Sequence, residues 1–154
     1  MRMSRRLAIQ GKPPDLYFFK QGAVSGYNFS YGVSGSNISL ESKGWVHRND
    51  KGTVDENVSA PARSSTLNVD LRRYKSVCFT VSGGSGSRSI SVGSVSKSNP
   101  GNGTHTLDIP GIADRSNLQI KLYTSAASPS AAGYYPSTNV ETNSITVTKI
   151  WAKA

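Results

Sequence analysis

Aromatic residues beside turn-forming residues are the part of this sequence best suited to bind a ligand. Trp45 lies in "KGWVHR", and Tyr134 and Tyr135 lie in "AAGYYPST". Aromatic rings can stack on the apolar C–H faces of sugars while a few placed polar groups fix the hydroxyls. With His47 and Arg48 beside Trp45, these residues predict a glycan site on exposed loops. The alternative is that Trp45 caps the core and the two tyrosines brace a long loop through their hydroxyls.

Catalytic and metal-binding patterns are weak in the sequence. The only cysteine, Cys78, lies in an alternating apolar run, which predicts a buried small hydrophobe. Asp55 and Glu56 are adjacent, so on a regular strand they would point to opposite faces and could not act as a paired acid and base. "NDKGTVDEN" lacks the alternation of a dedicated calcium loop and predicts a solvated loop. We therefore expect no enzymatic activity, no cofactor and no metal site.

The first residues carry much of the net charge of +9. "MRMSRRLAIQGK" contains Arg2, Arg5, Arg6 and Lys12 and no acid, and its apolar run is too short for a secretory signal or a membrane span. We expect a basic N-terminal arm over residues 1–14. Such an arm is either a disordered terminus or a segment that docks on a neighbouring subunit or contacts nucleic acid.

The remaining cations are scattered along the sequence, which argues against a nucleic-acid partner. Only "RRYK" is locally dense, and no known nucleic-acid motif surrounds it. We expect Tyr74 to pack on the core there, with Arg72, Arg73 and Lys75 in water.

The elements that must position these residues are short β-strands. Apolar residues alternate with polar ones in runs bounded by Gly, Asn, Ser and Pro, and no run shows helical periodicity over three turns. The candidate strands are "DLYFFKQG", "YNFSYGV", "NISLES", "STLNVDL", "SVCFTVS", "SISVGS", "HTLDI", "NLQIKLYT" and "NSITVTKIWA". The fold class predicted is all-β: an antiparallel β-sandwich of jelly-roll type, forming a single domain over residues 15–154.

Two details of these strands are open to structural test. "GGSGSR" separates "SVCFTVS" from "SISVGS", and its residues tolerate positive φ, so we interpret the segment as the mobile tip of one hairpin. Near Lys149 the alternation slips, because Ile150 and Trp151 cannot both face inward without a bulge or a twist.

The order of these phrases resembles small β-sandwich modules in virion proteins of tailed phages that infect Gram-positive bacteria. The phrases that carry the resemblance run from about Asp15 to Trp151: "DLYFFKQG", "GW", "LNVDLRRYKSVCFTVSG", "SISVGS", "HTLDIPG", "LQIKLYT" and "SITVTKIWA". The jelly rolls of that family look like galactose-binding-type or carbohydrate-binding modules.

The resemblance implies a non-enzymatic virion protein, made in the host bacterial cytoplasm and assembled into the particle. As a capsid decoration, head-surface or tail accessory subunit it would contact other virion proteins, with no membrane partner, and a homo-oligomer is expected. The alternative is a receptor-binding module of a tail or fibre that attaches to a host cell-wall glycan.

Overall fold

Ten β-strands are the regular elements of a computed structural model, which describes residues 12–130 and 136–154. They are β1 (Leu16–Lys20), β2 (Ile38–Arg48), β3 (Val54–Val58), β4 (Arg63–Val69), β5 (Ser76–Ser85), β6 (Arg88–Val92), β7 (Val95–Ser98), β8 (Gly103–Asp108), β9 (Leu118–Thr124) and β10 (Ser137–Lys153). The predicted all-β class is therefore confirmed. Within the same ranges, no helix is long and apolar enough to cross a lipid bilayer.

The strands form two antiparallel sheets. The larger has the order β3-β2-β10-β5-β8, and β1 also pairs with β10. The smaller has the order β4-β9-β6-β7. Strand β10 is central to the larger sheet: its first part pairs with β2, its last part with β1, and β5 lies along its other edge. The antiparallel two-sheet sandwich is thus confirmed.

The core lies between the sheets and is built by period-2 alternation. Val77, Phe79 and Val81 of β5 are at most 2% exposed, as are Ile120 and Leu122 of β9 in the other sheet. Both sets belong to one continuous hydrophobic cluster. Burying each such side chain contributes roughly 1.5–3 kcal/mol, so the facing strands supply the main stabilisation of the fold.

The predicted hairpin at "GGSGSR" is wrong. Strand β5 pairs with β10 and β8, whereas β6 pairs with β7 and β9, so the segment joins the two sheets. Gly83 and Gly84 continue β5 beside β10, and Gly86 has a φ of 65°. A Cβ at Gly86 would collide with Asn143 Oδ1. The glycine therefore permits close packing at a crossing between sheets, where we had expected a mobile tip.

The predicted strand at "YNFSYGV" is also wrong, since residues 27–33 form no regular strand. Gly26 and Gly32 have φ values of 88° and 77° and bend the chain at either end. Between them, the Ser30 amide donates to the Thr66 carbonyl at 3.0 Å, so this segment follows the edge of β4. The aromatic residues of this segment alternate as in a strand, but the bends at its two ends prevent a regular ladder of hydrogen bonds with a neighbouring strand.

Two strands lack the apolar pattern that would have predicted them. Strand β3 lies in the segment that we expected to be a solvated loop, and β7 lies in "VSKS". The side chains of β3 are exposed except for that of Val58, which is partly buried. Both strands lie at the edges of their sheets, where each pairs with only one neighbour. An edge strand is held by that one ladder of hydrogen bonds and can keep its side chains in solvent.

The slip near Lys149 is a pair of irregularities in the β10–β5 ladder. Register shifts occur between Thr146 and Val147 and between Val147 and Lys149. Ile150 consequently faces the core with no exposure, and Trp151 points to the outward face. Cys78, opposite Trp151, is 2% exposed, and Tyr74 packs against the core, as the sequence predicts.

Candidate functional site

Trp45 lies within β2 and not on the loop that the sequence suggested. Ile38, Leu40 and Ser42 of that strand are buried toward the core, and Trp45 belongs to the alternate set that faces outward, where it is half-buried. Gly44 does not form a turn. It lies where another segment of the chain packs closely against β2. A Cβ there would lie 3.0 Å from Pro129 Cδ and 3.1 Å from the Ala127 carbonyl oxygen.

An apolar row crosses three strands at Trp45. Val58 of β3 and Val140 of β10 are directly opposite Trp45 on its two sides, and we call these three residues the Trp45 row. Val140 is 54% exposed. Directly opposite residues of an antiparallel pair share a face, so the row is an accessible apolar strip. It is also separate from the core, which contradicts the alternative that Trp45 caps the core.

His47 lies next to the Trp45 row on the same face, and its imidazole contacts a carboxylate. Its Nδ1 is 2.5 Å from Asp55 Oδ1. Glu56 of β3 and Thr138 of β10 are the residues directly opposite. The opposite-face argument for Asp55 and Glu56 fails because a register shift leaves Asp55 as an extra residue in β3. Two carboxylates consequently neighbour one imidazole.

Arg48 does not join Trp45 and His47. As the next residue along the strand it points away from the face of His47, and its Nη1 donates to the Gly52 carbonyl at 2.8 Å. The guanidinium thus braces the turn between β2 and β3. The same turn is closed by Asn49 Oδ1, which accepts from the amides of Lys51 and Thr53.

Five of the predicted site residues lie outside the described residues. These are Arg2, Arg5, Arg6, Tyr134 and Tyr135. Lys12 is described and is exposed. Their predicted roles in subunit docking and glycan binding stay predictions.

A second aromatic pair on the same sheet face was missed from the sequence. The rings of Tyr17 and Trp151 are 5.7 Å apart between centroids, with planes inclined by 24°. Lys20 Nζ lies 4.6 Å from the Tyr17 ring centroid. Lys20 is directly opposite Lys149 across β1 and β10. The alternation of Lys149, Trp151 and Lys153 in "KIWAK" is the signal that could have indicated a shared face.

Hydroxyl groups fill the face between the Trp45 row and the Tyr17–Trp151 pair. Ser39 Oγ and Thr146 Oγ1 are 2.9 Å apart, and Ser85 Oγ and Ser144 Oγ are 3.1 Å apart. These cross-strand pairs are exposed. We use "outward face" below for the whole surface of the larger sheet that carries both aromatic clusters and these hydroxyls.

A small cavity elsewhere is a weaker candidate. It has a volume of about 100 Å³ and is lined by Phe19, Ala23, Tyr27, Asn28, Phe29 and Val33. Pockets for small ligands are typically about 300–1,000 Å³. Among the described residues, no group of three or more His, Cys, Asp or Glu is placed to hold a metal ion.

The "RRYK" cluster has the solvated character that the sequence predicted. Arg72, Arg73 and Lys75 are exposed, and Arg72 Nη2 lies 2.6 Å from Asp70 Oδ2. Hydrogen bonds from the side chain and the amide of Arg72 lower the pKa of Asp70. The carboxylate of Asp70 therefore neutralises part of the positive charge of the "RRYK" cluster.

Comparison of the chain with protein-family models, with curated proteins and with solved structures finds no match.

Proposed function

We propose that the protein is a non-enzymatic structural subunit of a tailed-phage particle, built on a jelly-roll sandwich. The observation that carries the proposal is the strand order. Within the two sheets, β2-β10-β5-β8 faces β4-β9-β6-β7, which fits the eight strands and double Greek key of a jelly roll. The phrases that resemble phage virion modules lie in β1, β2, β4, β5, β6, β8, β9 and β10.

The basic N-terminal segment gives this subunit a means of attachment. Within residues 1–12, Arg2, Arg5, Arg6 and Lys12 supply four cations and there is no acid. A segment of this charge is suited to an acidic surface on a neighbouring virion protein, where opposite potentials favour association.

Removal of residues 1–12 tests the structural role. We expect the truncated protein to keep its sandwich, since β1 begins at Leu16, but to be absent from purified particles. A full-length variant with Arg2, Arg5 and Arg6 replaced by Gln separates charge from length. Incorporation of both variants at the normal copy number would contradict a docking role for the arm.

Glycan binding is the second candidate, and the Trp45 row is the observation that favours it. The row is apolar and accessible, and polar residues flank it on the same face. Lys43 and Thr142 are opposite one another on one side of it, and His47 and Thr138 on the other. Rows of a strand that share a face are about 7 Å apart. A sugar stacked on the indole could therefore reach polar groups on both sides.

Trp45→Ala tests this candidate by its effect on binding to cell-wall glycans. We expect at least tenfold weaker binding, because the stacking surface would be lost. Val140→Ser should weaken binding to a lesser degree. The matched control is Val33→Ser, which changes another exposed valine, one that bridges the core-facing Ile38 at the start of β2. Equal binding by Trp45→Ala and the control would exclude the Trp45 row as the glycan site.

A further inference from the structure

We infer that the outward face binds an extended glycan carrying sparse negative charge, with its acidic groups at Lys20 and Lys149. This inference rests on the proposed glycan-binding function and names its ligand class. It concerns the end of the face opposite to Trp45, where Tyr17 and Trp151 lie.

The first support is an unfavourable charge pair. Lys20 and Lys149 are directly opposite each other on β1 and β10. Like charges in that position destabilise an antiparallel sheet. In residues 12–130 and 136–154, neither lysine forms an ion pair with an acid. Lys153, two residues beyond Trp151 on the same strand, shares its cross-strand row with Asp108 of β8, so the uncompensated charge is that of Lys20 and Lys149. A bound anion would relieve this repulsion.

The second support is the aromatic pair beside these cations. Tyr17 and Trp151 are half-buried and form the cross-strand pair next to the two lysines. Thr80 and Thr104, whose hydroxyls are 3.2 Å apart, extend the lysine row across β5 and β8. Rings, cations and hydroxyls thus occur together, a combination that suits a sugar bearing a carboxylate or a phosphate.

The third support is the continuity of the face. Strand β10 runs from Val140 in the Trp45 row to Trp151, a span of about 35 Å at the rise of a β-strand. Exposed serine and threonine hydroxyls line the intervening surface. One extended chain could contact both aromatic clusters.

The distribution of acids favours a polysaccharide over a single-stranded nucleic acid. Glu41 lies on the outward face between the two clusters, and Asp55 and Glu56 neighbour His47 at the Trp45 end. A nucleic acid carries a phosphate at every nucleotide and would meet these carboxylates. A glycan with occasional acidic groups can place them at the lysines and present neutral hydroxyls elsewhere.

The test measures binding of the full-length protein by isothermal titration calorimetry to defined polymers. The anionic probes are hyaluronan oligosaccharides and poly(glycerol phosphate), the neutral probe is a chitin oligosaccharide of similar length, and the nucleic-acid probe is a twenty-residue oligothymidylate. The variant is Lys20→Gln with Lys149→Gln. The matched control is Lys121→Gln, whose Nζ lies 5.0 Å from the Tyr123 ring centroid on the other sheet.

The inference predicts that an anionic glycan binds more tightly than the neutral one. It also predicts roughly tenfold weaker binding in the double variant, an effect that salt reduces and that Lys121→Gln lacks. Tighter binding of hyaluronan than of poly(glycerol phosphate) would identify a carboxylate as the acidic group, and the reverse order would identify a phosphate. Lys149→Glu should also weaken binding, yet it should raise the free energy of unfolding slightly, because it places opposite charges across the ladder.

Three outcomes would overturn the inference. If neutral and anionic glycans bind equally and the lysine variant has no effect, the ligand class is wrong, while sensitivity to Trp45→Ala would preserve the glycan function. If oligothymidylate binds more tightly than every glycan, with the same lysine dependence, the face is a nucleic-acid site. If no glycan binds the unaltered protein, the proposed glycan function fails together with the inference.

Discussion

Asn143 is a buried polar residue that joins three parts of the chain at one end of the sandwich. Its side chain is 2% exposed. Its Oδ1 accepts from the Ser87 amide at 2.8 Å, and its Nδ2 donates to the carbonyls of Ser125 and Ala126. Ser42 acts similarly nearby, since its Oγ accepts from the Ala127 amide at 3.1 Å. The Ala127 amide also donates to the Ala60 carbonyl at 3.0 Å, so Ser42 adds a second acceptor there, whereas Asn143 bonds backbone groups of the segments outside the strands.

Asn143→Ala should lower the free energy of unfolding by about 2–4 kcal/mol, because buried backbone groups would lose their partners. Chemical denaturation monitored by circular dichroism would measure the change. The matched control is Asn68→Ala, at an exposed position on β4, for which a change within about 0.5 kcal/mol is expected. Equal effects in both variants would contradict the anchoring role of Asn143.

The Asp70–Arg72 pair gives a prediction at the level of one titrating group. Because hydrogen bonds from Arg72 lower the pKa of Asp70, Arg72→Gln should raise that pKa toward its usual range. A carboxylate with a lowered pKa stabilises the fold above its unfolded-state pKa, and this contribution is lost as the pH falls through the folded-state pKa.

Carboxyl-detected NMR titration would measure the Asp70 midpoint in both proteins. Asp114 serves as an internal control, since hydrogen bonds from Ser116 are the main cause of its lowered pKa. Asp114 should therefore keep a low pKa in Arg72→Gln. An unchanged Asp70 midpoint would show that Arg72 does not hold the carboxylate in solution.

At the level of elements, alternation predicted strands but not their partners. The runs at β5 and β6 were recognised correctly, yet each pairs in a different sheet. Local turn residues suggested a hairpin because glycine permits reversal, but it equally permits the close contact between Gly86 and Asn143. Pairing is decided by which apolar faces pack together across the core, and that information is distributed over the whole chain.

The register shift in β10 gives a prediction for two adjacent residues. Ile150 faces the core with no exposure, and Trp151 faces outward. Ile150→Ala should therefore lower the free energy of unfolding by about 2–5 kcal/mol. Trp151→Ala should cost less despite removing a larger side chain. Thermal and denaturant unfolding of both variants would measure the two losses of stability. A larger loss for Trp151→Ala than for Ile150→Ala would contradict the assignment of Ile150 to the core face.

The two aromatic clusters show how much of the candidate site the sequence could indicate. Trp45 was singled out by residue type, and His47 by proximity, and both lie on one face. Arg48 lies on the other side of the strand from His47, because successive strand residues face opposite sides, and its role in glycan binding stays a prediction. Tyr17 and Trp151 are near opposite ends of the described chain and meet only because β1 pairs with β10. A contact of that kind has no local signal.

At the scale of the whole molecule, the sheets interleave along the chain. Strands β1, β2, β3, β5, β8 and β10 form one sheet, and β4, β6, β7 and β9 form the other. A cut at Arg88 would leave members of both sheets on each fragment. The topology therefore supports a single folding unit over residues 15–154, which stays a prediction.

Limited trypsin digestion and calorimetry would test this prediction. We expect one cooperative thermal transition, and fragments produced by cleavage at Arg88 should remain associated until the protein unfolds. The Arg88 guanidinium itself bonds the carbonyls of Gly86 and Pro100 at 2.7 and 3.0 Å, which should slow cleavage there. Two separable, stably folded halves would refute the single unit.

The position of β10 also affects how the protein is made. Strand β10, the last of the ten strands in residues 12–130 and 136–154, lies between β2 and β5. While the ribosome is still synthesising that strand, β2 and β5 each have an edge without a partner, and such edges can pair with other chains. The larger sheet therefore closes only after β10 has emerged. Its long-range pairings favour slow folding, so recovery of soluble protein should improve when synthesis is slowed or chaperones are abundant.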